Sequence, residues 1–319
     1  MLKADKAFAV AKGIATCIPG AYALLGAKRT KATEPPPEYS YGVWFKHLAL
    51  LNEATGCGIP QAVVELGPGD SIGVGIAALL SGAHSYVGVD DRPYAARANN
   101  SAMASELMSL FKAKAPFVPS GMPDFRHLLD QTCFPSHLLT HERLSASLRQ
   151  ERLGEIHDSV RRAFNRANGG MISYRAPISD PSVVRPMSAD LVLSHSVLEH
   201  VADLAGIIRS TYSWLRRGGF CSHQFDLRSH DIVRAWDGHR AFGGAMWRAV
   251  VGGRRFLINR LPYSSVIRCV EDAGFSILRA DRICRAPTLS RRDLCKEWRV
   301  ASDDDLQTEG GYIIAQRPA

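Results

Sequence analysis

AVVELGPGDSIGVGIAALL, residues 62–80, and YVGVDD, residues 86–91, decide the fold. Ala62 to Leu66 is a short apolar run with one carboxylate, Glu65, near its end, and it stops at Gly67-Pro68-Gly69. Ser71 to Leu80 reads as a helix, and Tyr86 to Val89 is a second apolar run that ends on Asp90-Asp91. Strand, glycine loop, helix, strand, acid is the opening of a nucleotide-binding α/β sheet. The glycines let backbone approach a ligand where a Cβ would collide. The helix N-terminus behind them offers unpaired N–H groups. Asp90, at a strand end, is placed to accept hydrogen bonds from both hydroxyls of a ribose.

Outward from this stretch the α/β rhythm continues. Met171 to Tyr174 reads as a third strand, and Ala189 to Ser194 as a fourth, followed by a helix through Leu198 and Val201. Trp214 to Gly219 reads as a turn into a fifth strand, Phe220 to Phe225. Ala273-Gly274-Phe275 introduces a sixth, Ser276 to Ala280, and Gly310 to Ala315 closes the series. The stretch of about 95–168 interrupts the rhythm; its helix formers and charge predict a helical insertion between strands two and three, over the substrate side. A second insertion is expected over about 228–265. Residues 1–37 read as an N-terminal helix and linker, Lys28 to Pro37 being charged and then proline-rich, with one domain over 38–319. The fold class is α/β, a Rossmann-like sheet of about seven strands with helices on both faces.

A chain of 319 residues that is 46% hydrophobic can bury a sizeable core. It contains no apolar stretch of the ~20 residues that span a bilayer. The net charge of +8 comes with scattered arginine pairs such as Arg161-Arg162 and Arg254-Arg255, without interleaved aromatics. That pattern favours a solvated basic surface over a nucleic-acid partner. The 7 cysteines form no CxxC pair and are odd in number, which predicts a reducing, cytoplasmic setting and mostly buried thiols. Residues 1–25 do not read as a secretory signal, because Lys12 interrupts the apolar region and Pro19-Gly20 breaks it. Phe8, Ala11, Ala15 and Ile18 share a helical face beside Lys3, Lys6 and Lys12. Two readings fit: a helix in peripheral contact with anionic lipid, or a helix packed on the domain.

Gly67-x-Gly69 lacks the third glycine of the dinucleotide spacing, since Ile72 stands there and Gly73 comes one residue late. This argues against NAD, while Glu65 beside the loop suits a ligand with a cationic amino-acid end. VVELGPGDSIG with YVGVDD resembles motif I and the second-strand acid of class I S-adenosylmethionine (SAM)-dependent methyltransferases. SADLVLSHSVLEHV resembles their fourth-strand motif and WLRRGGF their turn into strand five, so the likeness covers roughly 60–95 and 170–225 with the closing strands. The resemblance implies SAM as cofactor. It places Glu65, Gly67, Pro68 and Gly69 at the methionine end, Asp90 and Asp91 at the ribose, and Ser194 and His195 on the cofactor floor. One departure stands out: Ser173-Tyr174-Arg175-Ala176 offers no acid to hold adenine.

For chemistry the sequence offers two clusters. HSVLEHV is similar to the region of quinone-biosynthesis O-methyltransferases in which an acid and a Glu-His pair hold a divalent ion; here the pair is Glu199-His200, and Ser196 stands where the third acid would be. The second cluster is His223, Asp226 and His230 in HQFDLRSH, where His223 is the expected general base and Asp226 its orienting partner. The spacing equally permits metal ligation or a structural histidine, so the metal stays open. INRLPYSSV and EDAGF resemble a bacterial branch of small-molecule and glycan methyltransferases, and Asn259 and Arg260 are expected to shape the acceptor pocket. The leading expectation is O-methylation of a sugar, glycan end or other hydroxylated small molecule. N-methylation, nucleic-acid methylation and a non-catalytic SAM-fold binding protein are the alternatives; neither an NPPY-type motif nor an RNA-binding module is present.

Overall fold

The computed structural model describes residues 2–18, 35–118, 124–129, 132–165, 170–254 and 257–319. Residues 28–34 of the expected linker, and the end of the first insertion at 166–168, lie outside them. The chain begins with α1 (Leu2–Ala15) and α2 (Pro37–Thr55), then runs β1 (Ala62–Leu66), α3 (Gly73–Leu80) and β2 (Ser85–Val89). After α4 (Asn100–Ala113), α5 (His141–Ser147) and α6 (Gln150–Arg162) come β3 (Ile172–Arg175) and β4 (Ala189–His195). Then follow α7 (Leu204–Trp214), β5 (Leu215–Asp226), α8 (Gly244–Val251), α9 (Tyr263–Asp272) and β6 (Ser276–Cys284). Two short helices, α10 (Lys296–Arg299) and α11 (Asp303–Gln307), lead into β7 (Thr308–Gln316).

The strands form one sheet in the order β3-β2-β1-β4-β5-β7-β6. The first five are parallel, and β7 runs antiparallel between β5 and β6. This is the seven-stranded, Rossmann-like architecture expected. Because both faces are covered, successive residues of one strand enter opposite cores. Val63, Leu191, Leu193 and Ile314 pack with α2 to α6 on one face. Val64, Val192, Cys221 and Ala315 pack with α7 and α9 on the other. Strand order reverses between β1 and β4, so a crevice opens above their carboxyl ends.

Helix α2 is held by fully buried Trp44, Phe45 and Leu48. The rings of Tyr41 and Phe111 meet Phe45 at 4.6 and 5.3 Å. Each such ring contributes about 1.5–3 kcal/mol through burial. Helix α2 is therefore held firmly against the sheet and α4.

Several expectations are corrected. Helices α4 to α6 pack on the α2 face of the sheet and supply no wall of the crevice described below, so among the described residues the insertion does not cover the substrate side. Leu198–His200 forms a single 3-10 turn rather than the start of a helix. Asp203 caps the true helix, its Oδ1 accepting from Gly206 N at 2.8 Å, so the chain must turn before α7 can begin. Strand β5 starts at Leu215, absorbing the expected Arg216–Gly219 turn, because Leu215 is fully buried opposite Ala189. The thiols are unbridged, but of the 7 only Cys221 is buried; the others sit on loops and outward helix or strand positions.

Candidate active site

The loop after β1 is pinned from two sides. Gly67 and Gly69 adopt φ of +63° and +65°, which L side chains rarely tolerate. Gly67 N donates to Val89 O at 2.8 Å, and a Cβ on Gly67 would lie 2.6 Å from Val197 Cγ2. The loop is thus wedged between the end of β2 and the turn after β4. Asp90 Oδ2 accepts from Gly69 N at 3.0 Å and from the Tyr174 hydroxyl at 3.1 Å; Oδ1 accepts from Asp91 N at 2.7 Å. A carboxylate offers about four acceptor directions, so one on Oδ1 stays open for a ribose hydroxyl. Burial pushes the Asp90 carboxyl up, and the two backbone N–H groups oppose that shift. Asp91 lines the same crevice, and Pro68 spaces the two glycines.

Glu65 is buried, and its Oε2 takes a 2.5 Å hydrogen bond from the Tyr86 hydroxyl. Burial pushes its carboxyl up to about 8; the Tyr86 bond lowers it and Asp90 raises it further. Among the described residues no lysine or arginine forms an ion pair with it. A buried acid without a cation fits a ligand that brings its own, as the amino-acid end of SAM does.

The crevice between these residues has a volume of about 830 Å³. One wall comes from Ile178, Ser179 and Pro181 after β3, so apolar groups occupy the region where an adenine-binding acid was sought. The other wall includes Val197 and His200 after β4. His200 belongs to a compact cluster: its ring meets that of His230 edge-on at 4.9 Å, and Glu199 lies beside both. Glu199, His200 and His230 each present a ligand atom within 4.8 Å of the others, a set that suits a divalent cation or a proton relay. Glu199 is 3% exposed, its oxygens meet no donor in hydrogen-bonding geometry, and burial pushes its carboxyl well above the usual range. Asn259 holds this turn with three donated bonds, its N to Glu199 O and its Nδ2 to Leu198 O and Val201 O, while its Oδ1 accepts from Leu261 N at 3.0 Å.

The second expected cluster separates. Residues three apart on a strand face opposite ways, and His223 and Asp226 obey that rule. His223 is fully buried, its Nδ1 2.8 Å from Ser194 Oγ, and burial pulls it down to about 3. Neither His223 nor Ser194 lines the crevice. Asp226 instead grips Arg228 and lies 3.5 Å from Nε2 of His230, whose ring meets that of His200. His195 turns toward α2: its Nδ1 is 3.3 Å from Lys46 Nζ and its ring meets Tyr39 edge-on at 5.7 Å. Arg260 stacks 4.3 Å over Trp247 and donates to Phe242 O, so it faces away from the crevice.

Sequence reading missed Tyr39, Lys46 and Tyr174. Tyr39 is pushed up to about 12 by burial and by the charges of Glu65 and Glu199, which places α2 beside both acids. Lys46 is 0% exposed, donates to Gln224 Oε1, and is driven well below the usual lysine range by burial. A Lys46-His47 pair inside the otherwise apolar run Tyr41 to Leu51 was the signal that could have found it.

A family model described as a methyltransferase domain matches residues 155–222, from α6 through the first part of β5. Among curated proteins none matches the sequence. Similar solved structures include a SAM-dependent methyltransferase from Mesorhizobium loti, 15% identical, covering 86% of this chain and 98% of that one with a TM-score of 0.43. Another is phosphoethanolamine N-methyltransferase 2 of Haemonchus contortus in complex with S-adenosyl-L-methionine, 13% identical, covering 92% of this chain and 60% of that one with a TM-score of 0.43. The match over residues 155–222 falls on a sheet whose strand order, glycine loop and strand-end acid are those of the class I methyltransferase fold.

One measurement tests the ribose contact. Asp90→Ala should weaken SAM binding by about tenfold through loss of a charge-assisted hydrogen bond. Unchanged affinity in a folded variant, read by calorimetry, would remove Asp90 from the cofactor site.

Proposed function

We propose that the enzyme methylates a hydroxyl of a sugar, glycan end or similar small molecule, with His200 taking the proton. The observation that carries this reading is the Glu199–His200–His230 cluster, whose His200 opens into the crevice while His230 remains partly exposed behind it. SAM supplies an electrophilic methyl: the acceptor oxygen forms the new C–O bond as the S–C electron pair returns to sulfur, leaving S-adenosylhomocysteine. Geometry then asks the protein for positioning and a proton acceptor. His200 accepts the hydroxyl proton. His230, oriented by Asp226, passes it toward solvent, and Glu199 offers a buried carboxyl to balance the imidazolium. Glu65, Gly67, Pro68, Gly69, Asp90 and Asp91 hold the cofactor in this reading, while His195 and Ser194 support the floor from beneath. A divalent cation on Glu199, His200 and His230 would lower the pKa of an acceptor hydroxyl at the same place. The likeness of Ile258 to Val266 to small-molecule and glycan methyltransferases supports the acceptor class.

Incubation with methyl-labelled SAM and parallel panels of sugars, phenols and amines tests the reading, with mass spectrometry to locate the label. Label on a hydroxyl is the expected result. Transfer confined to amines would replace O-methylation by N-methylation. Loss of turnover with chelator, restored by one divalent metal, would add the cation.

A further inference from the structure

Among the described residues, helix α1 is fixed to the domain by one side. Ala9 enters a small core with Val233, Phe242, Trp247, Val250 and Ile258. A Cβ on Gly13 would overlap Ala249 O, so only glycine lets α1 lie this close to α8. Lys6 Nζ donates to Ala241 O at 2.7 Å, and Gly253 N donates to Thr16 Oγ1 at 2.9 Å. These contacts set which side of α1 faces outward.

The outward side is apolar. Ala4, Ala7, Phe8, Ala11, Ile14 and Ile18 are exposed, with Phe8 at 69%, Ile14 at 55% and Ile18 at 60%. Lys3 and Lys12, both exposed, flank this strip, and on α8 the half-exposed Met246 is accompanied by exposed Arg248. Asp5 is the single acid of α1, and it is mostly buried 3.8 Å from Arg234; α8 has none. Large apolar side chains at the centre, cations at the margins and no exposed acid are the chemistry of a helix lying in the plane of an anionic lipid surface. A protein partner would favour fewer lysines at the contact. No helix among the described residues is long and apolar enough to cross a membrane, so contact from this face would be peripheral.

We propose that α1 docks the enzyme onto anionic membranes, Phe8, Ile14 and Ile18 entering the headgroup boundary while Lys3 and Lys12 meet lipid phosphates. The test is co-sedimentation of the full chain with vesicles of phosphatidylglycerol and phosphatidylcholine, against vesicles of phosphatidylcholine alone. The wild type should prefer the anionic vesicles by about tenfold and lose binding as salt rises. Phe8→Ser with Ile14→Ser should lower that binding about tenfold or more, and Lys3→Gln with Lys12→Gln should abolish the lipid preference. All four residues are exposed, so circular dichroism should show unchanged folding. Failure of the wild type to sediment with anionic vesicles, or equal sedimentation of the Phe8/Ile14 variant, would overturn the proposal. A concentration-dependent dimer that the Phe8/Ile14 variant abolishes would overturn it too, assigning the face to a second copy.

Discussion

His200→Ala should lower turnover by about a hundredfold or more while SAM affinity stays within about twofold. The side chain opens into the crevice from a turn whose carbonyls are held by Asn259, so truncation removes the imidazole without loosening its support. The split between catalysis and binding is the discriminating feature. A histidine that only packs would change both through stability, or neither. His223→Ala supplies the contrast: His223 is fully buried against Ser194, so its loss should lower thermal stability by leaving a core polar group without its partner. Equal kinetic losses in both variants would move the proton acceptor away from His200. Single-turnover transfer, measured beside calorimetric affinity, separates these outcomes.

SAM binding near neutral pH should release up to about one proton, by the same linkage that ties a shifted pKa to ligand affinity. In the unliganded protein Glu65 has its carboxyl raised to about 8, first by burial. It is therefore mostly protonated at pH 7, and a cationic amino-acid end beside it favours the ionised form. Affinity should rise with pH up to about 8 and then level. Calorimetry in two buffers of different ionisation enthalpy reads the proton directly. Glu65→Gln should abolish the release and weaken SAM by at least about tenfold; an unaltered proton count would place the ammonium elsewhere. Fold stability follows the opposite sign. A carboxyl whose folded value lies above its unfolded value of 4.5 stabilises the fold less as pH rises from about 4.5 to about 8, so unliganded protein should melt lower at pH 8 than at pH 6 for this group, and SAM should reverse the difference.

The sheet was legible because its signals are local. Apolar runs of four to six residues, several ended by glycine or acid, name the strands directly, and Gly67, Gly69 and Asp90 mark the crevice from spacing alone. The candidate cluster was legible in part. Glu199-His200 is a sequence pair, whereas its third member, His230, arrives from beyond β5 and could be paired with it only once the sheet had placed both ends together. Pairing His223 with Asp226 failed on strand periodicity, a rule the sequence already contained. Tyr39 and Lys46 meet His195 from a helix upstream of the motif region, and nothing in their spacing to it announces the contact. The cysteines misled for another reason: a free thiol tolerates surface positions, and its number carries no information on burial.

Ile258 and Asn259 are consecutive residues with different employers. The first is seated in the small core beneath α1, and the second clasps the carbonyls of the Leu198–Val201 turn. The peptide bond between them works as a fulcrum with one arm in the outer helix and the other under His200. A displacement of α1 against the body of the protein would meet, one residue step from its own small core, the turn that carries His200.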